Sequence, residues 1–323
     1  MIRSFAGGAL FWAALSAAQA APLTLEAVIP LPGVSGRIDH MAVDVARRRL
    51  IVAELGNGSV EVLDVKIRKV LHRFTGLEEP QGVEYLRQGD LIAVACGGDG
   101  TVRFFSAADF SPRGQVALGD DADDARLDPR NGHLLVGFGS GGIAVVDAVA
   151  RKKIGEVPLP RHPEGFQIRD GKVFVNIPDA GQIVAAELDS NALIARWPNG
   201  SLSANFPMAL DGAGRRLAVV YRSPARLQLR DPQTEKEIAS QETCGDSDDV
   251  YFDDKRQRLY VSCGAGVVDV FALWPSLIRL DRIATSRGAR TALFVPELDR
   301  LFVAERAGLL GSDAAIAIFS PAD

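Results

Sequence analysis

Two short segments of the chain, residues 119–128 (GDDADDARLD) and residues 244–253 (CGDSDDVYFD), are crowded with aspartates. Corresponding positions hold Asp121, Asp123 and Asp124 in the first segment, and Asp246, Asp248 and Asp249 in the second. Carboxylates this close together raise one another's pKa values unless a cation, an arginine or water separates them. The clusters therefore suggest a binding site for a cation or a polar ligand, provided that the fold brings them to a common surface.

Composition narrows the class of protein. The 323 residues are 47% hydrophobic and 24% charged, which is typical of a globular protein. A formal net charge of -5 and a pI near 5.5 do not suit the broad cationic face that sequence-independent nucleic-acid binding needs. We therefore expect no nucleic-acid partner.

The first 20 residues have the features of a secretory signal peptide. Arg3 precedes an apolar stretch from Phe5 to Ala18, and Ala18-Gln19-Ala20 forms a cleavage site of the A-x-A type. We predict cleavage after Ala20 and a mature monomer that is periplasmic or secreted; an uncleaved N-terminal anchor is the disfavoured alternative. No later segment is apolar for the length of a membrane span, so we predict none after cleavage.

An internal repeat runs through the rest of the chain. When its units are aligned, one column holds His40, Gly82, Asp124, Gly165, Pro207, Asp249 and Thr291, at steps of 42, 42, 41, 42, 42 and 42 residues. Each unit alternates apolar and polar residues in short segments separated by Gly, Asn or Asp turns, which indicates β-strands and hairpins. Four antiparallel strands in about 42 residues correspond to one blade of a β-propeller.

We therefore predict an all-β fold, a seven-bladed β-propeller with four antiparallel strands per blade, as a single domain over residues 21–323. The last unit ends after its third strand, AAIAIFS, and the N-terminal segment LTLEAVIPLP at residues 23–32 supplies the missing outer strand. Joining both ends of the chain in one blade closes the ring and removes its exposed edges.

The units RLIVAELGNGSVEVLD, LIAVACGGDGTVRFF and RLYVSCGAGVVDVF resemble the YVTN-type repeat of YncE-like seven-bladed propellers, and the resemblance covers essentially the whole mature chain. The resemblance implies an exported bacterial or archaeal protein and is specific for the fold rather than for an activity. Propellers of related appearance include sugar lactonases, an antibiotic lyase and subunits of redox enzymes, so function has to be argued from the site.

In a propeller, the connections between blades and the hairpins between second and third strands ring one mouth of the central channel. We predict a ligand-binding site at this mouth, formed by Arg37, Asp39, His40, Gln81, Asp121, Asp123, Asp124, His162, Glu164, Asn205, Asp246, Asp248, Asp249, Arg287 and Arg290. The ends of the second strands add Glu54, Asn176, Tyr221, Arg222, Glu305 and Arg306 nearby. The aspartate clusters are three blades apart and should lie on nearly opposite walls, although such aspartates can also cap backbone amides of adjacent blades.

The sequence motifs identify no cofactor. A divalent cation, Ca²⁺ or Mg²⁺, could be held by Asp123, Asp124, Asp248 and Asp249, but the spaced loop of a calcium-binding EF-hand is absent. A zinc or iron site would need His40, His162 and Glu164, which belong to blades 1 and 4 and could meet only near the channel axis.

Two classes of function remain open. The first is a non-enzymatic binding or scaffold protein whose acidic, arginine-flanked channel mouth takes a small polar ligand, a cation or a periplasmic partner protein. The alternative is a metal-assisted lactonase-like hydrolase or lyase with its site at the same mouth, using Glu164, His40 or His162 as general base.

Three cysteines are present, and an oxidising compartment would allow a disulfide. Cys244 precedes the inner strand of blade 6 and Cys263 ends that blade's second strand, so both approach the same mouth. We predict a Cys244–Cys263 disulfide and a buried Cys96 thiol.

Overall fold

The repeat folds into seven four-stranded antiparallel sheets, and the strands of each sheet follow one another in chain order except at the closing blade. The computed structural model describes residues 21–308 and 313–323, so the predicted signal peptide, residues 1–20, lies outside the described residues. Strands β2 to β13, from the inner to the outer strand of blades 1, 2 and 3, are Met41–Asp44, Arg49–Glu54, Ser59–Asp64 and Lys69–Thr75; Pro80–Leu86, Leu91–Cys96, Thr101–Ser106 and Pro112–Ala117; Ala125–Leu127, Leu134–Phe138, Gly142–Asp147 and Lys152–Pro158.

Strands β14 to β25 form blades 4, 5 and 6: Phe166–Arg169, Lys172–Ile177, Gln182–Glu187 and Ala192–Pro198; Ser203–Leu210, Leu217–Ser223, Ala225–Arg230 and Glu237–Glu242; Ser247–Asp253, Arg258–Cys263, Val267–Ala272 and Ile278–Ala284. Blade 7 consists of β26, β27, β28 and β1, which are Ala292–Val295, Arg300–Glu305, Ala314–Pro321 and Leu23–Leu31. Single 3-10 turns, Leu55–Asn57 and Pro178–Ala180, follow β3 and β15. The described ranges contain no helix with the length and apolar character that crossing a membrane requires.

The two ends of the chain meet in blade 7. Strand β1 pairs antiparallel with β28, from Leu23 opposite Pro321 to Leu31 opposite Ala314. The inner strand β26 contacts β22 on one side and β2 on the other, so the ring is continuous. The predicted seven-bladed β-propeller, closed by the N-terminal strand, is confirmed.

The hydrophobic core lies between neighbouring blades. Between blades 2 and 3, for example, Val102 and Phe104 pack with Leu134 and Val136, all of them buried. Because a strand's side chains alternate between the two faces of its sheet, each middle strand can contribute to the core on both sides. This packing holds the inner strands, and the side chains that they present to the channel, in fixed positions.

On the face opposite the predicted mouth, ion pairs connect successive blades. In blade 6, Arg256 bonds Asp253 of its own blade at 3.0 Å and Asp299 of blade 7 at 2.6 Å. Arg47 links Asp44 to Asp90 of blade 2 in the same way, at 2.8 and 2.7 Å. These aspartates are structural.

Candidate functional site

A cavity of about 410 Å³ follows the inner strands along the central channel. Predicted mouth residues that line it are Arg37, Asp39, His40, Asp123, Asp124, Glu164, Asp248 and Asp249. The lining continues to Gly212 and Asp254, in turns on the opposite face, so the space extends well below the mouth. Both aspartate clusters therefore contribute to one cavity.

Three buried carboxylates, those of Asp39, Asp123 and Asp124, face His40 on one side of this cavity. His40 Nε2 lies 3.6 Å from Asp124 Oδ1, and His40 Nδ1 lies 3.7 Å from Asp39 Oδ1. Burial alone would lower the pKa of His40, but the negative charges of Asp124 and Asp39 outweigh it and raise the pKa to about 9. We call Asp39, His40, Asp123 and Asp124 the acidic wall.

His162 approaches the acidic wall from blade 4. Its Nδ1 donates to the carbonyl of Gly139 at 2.6 Å, and its Nε2 lies 3.5 Å from Asp123 Oδ2. Burial opposes protonation, yet the bond to Asp123 and the bond to Gly139 raise the pKa of His162 to about 9. The two histidines do not meet each other, because the Asp123–Asp124 segment lies between them: His40 contacts Asp124, and His162 contacts Asp123.

Arginines surround the second aspartate cluster. Arg290 donates to Asp246 Oδ1 at 2.9 Å and forms an ion pair with Asp248 Oδ2, also at 2.9 Å. Arg222 pairs with Asp248 and lies 3.9 Å from the ring centre of Phe206. Arg37 Nη2 lies 3.0 Å from Asp39 Oδ2 and so joins this side of the mouth to the acidic wall. Asp248 thus has closer cationic partners than Asp124, which has Arg126 at 3.3 Å and His40 at 3.6 Å.

Arg306 completes this basic flank. Its pKa is lowered by burial and by the neighbouring positive charges of Arg290 and Arg37. Its Nε and Nη2 atoms are buried and have no hydrogen-bond partner in the described part of the chain. An anionic or polar group at this flank would supply acceptors for these donors.

Near the repeat column lie three polar residues that sequence reasoning missed, Glu84, Arg126 and Tyr251. Arg126 lines the cavity, with Nη2 3.3 Å from Asp124 Oδ2, and Tyr251 lines it while donating to the carbonyl of Ala292 at 2.9 Å. Glu84 is near Arg126, and burial raises its pKa to about 7. The sequence contains a pattern that could have identified them. Each stands two residues after the repeat column, at the next position of the inner strand that faces the channel.

The alternative role for these aspartates, capping an adjacent blade, describes Asp249. Its Oδ2 accepts from the backbone N–H of Ala292 at 2.8 Å, and burial raises its pKa to about 7. Asp124 has no such bond: it is 2% exposed, and neither carboxylate oxygen has a hydrogen-bond partner within the described ranges. Asp124 is therefore a buried carboxylate of the cavity with unused acceptor capacity.

Several predicted mouth residues do not line the cavity. Asn205, predicted to bind ligand, is fully buried and bonded to Asn176 and Asn199, at 2.9 and 2.7 Å, so it joins blades 4 and 5 and does not reach the cavity. Glu54 is also fully buried, inside blade 1. The outer rim holds Gln81, Asp121, Asp246, His162, Arg287 and Arg290, which surround the cavity without lining it.

The structure contains the Cys244–Cys263 disulfide, which ties the segment before β22 to the end of β23. Cys96 is a buried free thiol, and burial raises its pKa to about 12. The disulfide anchors the base of the loop that carries Asp246.

Metal-ligating side chains converge at the acidic wall rather than at the predicted set Asp123, Asp124, Asp248 and Asp249. In the described part of the chain, one group of three candidate ligands meets, formed by Asp39, His40 and Asp123, with donor atoms within 4.8 Å of one another. Blade 1 supplies two of these residues and blade 3 the other. The predicted metal-binding set combined aspartates of both clusters. In the structure, Asp124 lies near Arg126, whereas Asp248 lies near Arg222 and Arg290.

Comparison with known proteins identifies the architecture and nothing finer. No family model matches the chain, and no curated protein matches it. Among solved structures, hydrazine synthase from Kuenenia stuttgartiensis is similar with a TM-score of 0.75 at 13% identity, covering 86% of this chain and 94% of that one. A chain of a mitotic checkpoint complex is similar with a TM-score of 0.79 at 14% identity, covering 100% and 99%.

In all, 1746 chains of solved structures match, so the propeller architecture does not by itself select a function. At these identities the similarity shows the fold alone. The resemblance to YncE-like propellers remains a prediction.

Proposed function

We propose that this chain is an exported, YncE-like β-propeller that binds a small organic ligand in the mouth of its central channel. The ligand carries a cationic group, which faces the acidic wall, and an anionic or strongly polar group, which faces Arg37 and Arg306. The signal-like residues 1–20 support export, and the rigid ring of loops supports a binding role.

The charge balance of the cavity supports a cationic group. Burial and the nearby charge of Asp123 raise the pKa of Glu164 to about 8, and burial raises that of Asp249 to about 7. Such raised values mean that the cavity holds carboxyl groups that it cannot keep fully ionised at neutral pH. A ligand ammonium group would stabilise the ionised forms.

The single observation that supports this proposal most strongly is the state of Asp124. A buried carboxylate without a hydrogen bond is costly in a folded protein, and it remains favourable only if another group compensates it. Arg126 and His40 approach at 3.3 and 3.6 Å and balance its charge without completing its bonds. A donor from a ligand would complete them.

The test is a thermal-denaturation screen of the mature protein against small amines, amino acids and other zwitterions at millimolar concentration. At about ten times its Kd, a true ligand should raise Tm by about 2–4 °C. Asp124→Asn should abolish the increase, whereas Asp170→Asn, an equal change of charge at a site 85% exposed, should preserve it.

Failure of every compound, or an equal increase in Tm for Asp124→Asn, would contradict the proposed binding role. Lactones belong in the same panel. Their hydrolysis by the wild-type protein would support the alternative function, a lactonase-like hydrolase, in place of simple binding.

A further inference from the structure

The arrangement of Asp39, His40 and Asp123 has the composition of a transition-metal site. We propose that these three side chains bind one first-row divalent metal ion at the acidic wall, with Asp124 as a fourth donor or as the acceptor of a metal-bound water. The inference rests on the proposed binding role and deepens it, because the ion would occupy the place at the acidic wall that the proposed function gives to a cationic group.

The distances are compatible with one ion. Bonds of about 2.0–2.2 Å to nitrogen and oxygen place donors around one ion at most about 4.3 Å apart. The three donor atoms lie within 4.8 Å of one another, and since at most one pair of them can lie opposite each other across the ion, side-chain movements of up to about 1 Å are needed to bring all three into range. Their backbones are fixed by the ladder: Asp39 N donates to the carbonyl of Ala53, and Asp123 N to that of Gly137, each at 2.8 Å.

Unused polar atoms point to a ligand here, independently of the clustering. Asp124 is only 2% exposed and lines the cavity. Neither of its carboxylate oxygens has a hydrogen bond within the described residues. His40 Nδ1 is likewise buried without a hydrogen bond, and Asp39 Oδ2 has the ion pair with Arg37 Nη2 at 3.0 Å as its contact. A metal ion would use the carboxylate lone pairs that the surrounding protein leaves without hydrogen bonds.

The donor types select the class of metal. An imidazole nitrogen beside carboxylates suits Zn²⁺, Fe²⁺ or Mn²⁺ better than Ca²⁺ or Mg²⁺, which prefer oxygen ligands alone. The cavity beside the three side chains leaves coordination positions for water or for a ligand. This differs from the Ca²⁺ or Mg²⁺ site expected from the aspartate clusters.

Neighbouring residues support the ligands. His162 donates to Gly139 and approaches Asp123 Oδ2 at 3.5 Å, so it orients that carboxylate. Arg37 does the same for Asp39, and Arg126 for Asp124. Such outer partners are typical of metal sites because they fix the orientation of the ligands. His162 is a positioning residue in this arrangement.

The experiment uses the mature full chain, stripped with a chelator and then dialysed separately against Zn²⁺, Mn²⁺, Ca²⁺ and Mg²⁺. We expect one equivalent of Zn²⁺ or Mn²⁺ per chain at micromolar free metal, and at least tenfold weaker binding for Asp123→Asn and His40→Gln. The matched controls Asp170→Asn and His133→Gln, on the opposite face, should bind as the wild type does. The melting temperature of each metal-free variant verifies that it is folded.

A Co²⁺-loaded sample adds a spectroscopic readout, since an imidazole ligand contributes to the visible absorption of the ion. His40→Gln should change this spectrum, and His133→Gln should not. Zero stoichiometry, preference for Ca²⁺ or Mg²⁺, or equal affinity in Asp123→Asn would each overturn the metal site. Zinc or manganese binding without any organic ligand would instead contradict only the proposed ligand, so the two failures are distinguishable.

Discussion

At the scale of single residues, the cost of burying a carboxyl group changes the pKa values of individual side chains in this protein. Glu54 illustrates it: the side chain is 0% exposed, accepts from Ser59, and lies near Glu61, which bonds Arg73 at 2.7 Å. Burial, and secondarily the charge of Glu61, raises the pKa of Glu54 to about 8. In the unfolded chain the same carboxyl group ionises near pH 4.5. Between pH 4.5 and about 8, the folded protein therefore binds one proton more than the unfolded chain does.

This difference makes a prediction about pH. The stability contribution of Glu54 should be fully present below about pH 4.5 and should be lost as pH rises through about 8. Glu54→Gln, which keeps the shape without the charge, should therefore unfold like the wild type at pH 5 and be more stable by roughly 1–3 kcal/mol at pH 9. Urea denaturation at the two pH values measures this, with the exposed Glu187→Gln as control; no gain at pH 9 would contradict it.

At the scale of elements, the contacts between blades are divided between apolar packing and ion pairs on the face opposite the mouth. Arg256 is 5% exposed at its side chain and holds Asp253 and Asp299, whereas Lys255, 61% exposed, pairs with the same Asp299. Removing a buried partner leaves Asp253 without its counter-charge, but an exposed pair contributes little. The two neighbours therefore form a matched comparison.

We predict that Arg256→Met lowers the free energy of unfolding by roughly 1–3 kcal/mol and that Lys255→Met leaves it nearly unchanged. Chemical denaturation followed by circular dichroism measures both. Equal effects of the two substitutions would show that the bond between blades 6 and 7 adds nothing beyond a surface pair.

At the scale of the whole molecule, stability depends on the strand that joins the two chain ends. Ile29 of β1 is fully buried and packs in the cluster that spans blades 7 and 1, whereas its neighbour Val28 is 47% exposed. Ile29→Ala should cost about 2–4 kcal/mol, and Val28→Ala about 0.5 kcal/mol or less. If urea denaturation gave both variants the same small loss, β1 would not be closing the ring in solution.

The amino-acid sequence by itself determined the number of blades, the strand that closes the last one, and the approximate set of side chains at the mouth. These properties depend on local alternation of apolar and polar residues and on a spacing of about 42 residues, both of which are visible along the chain. The same column, extended by two residues, would also have indicated Glu84, Arg126 and Tyr251.

Only the tertiary structure decided which of these side chains act together. Asn205 and Glu54 belong to the set of side chains expected at or near the mouth, yet they are fully buried in the fold. His40 and Asp123, from different blades, come together with Asp39 at the acidic wall, while arginines occupy Asp248. The reason is physical: hydrogen bonding, ion pairing and desolvation depend on distances of a few ångströms across the channel, and a repeat specifies the order of the blades without specifying those distances.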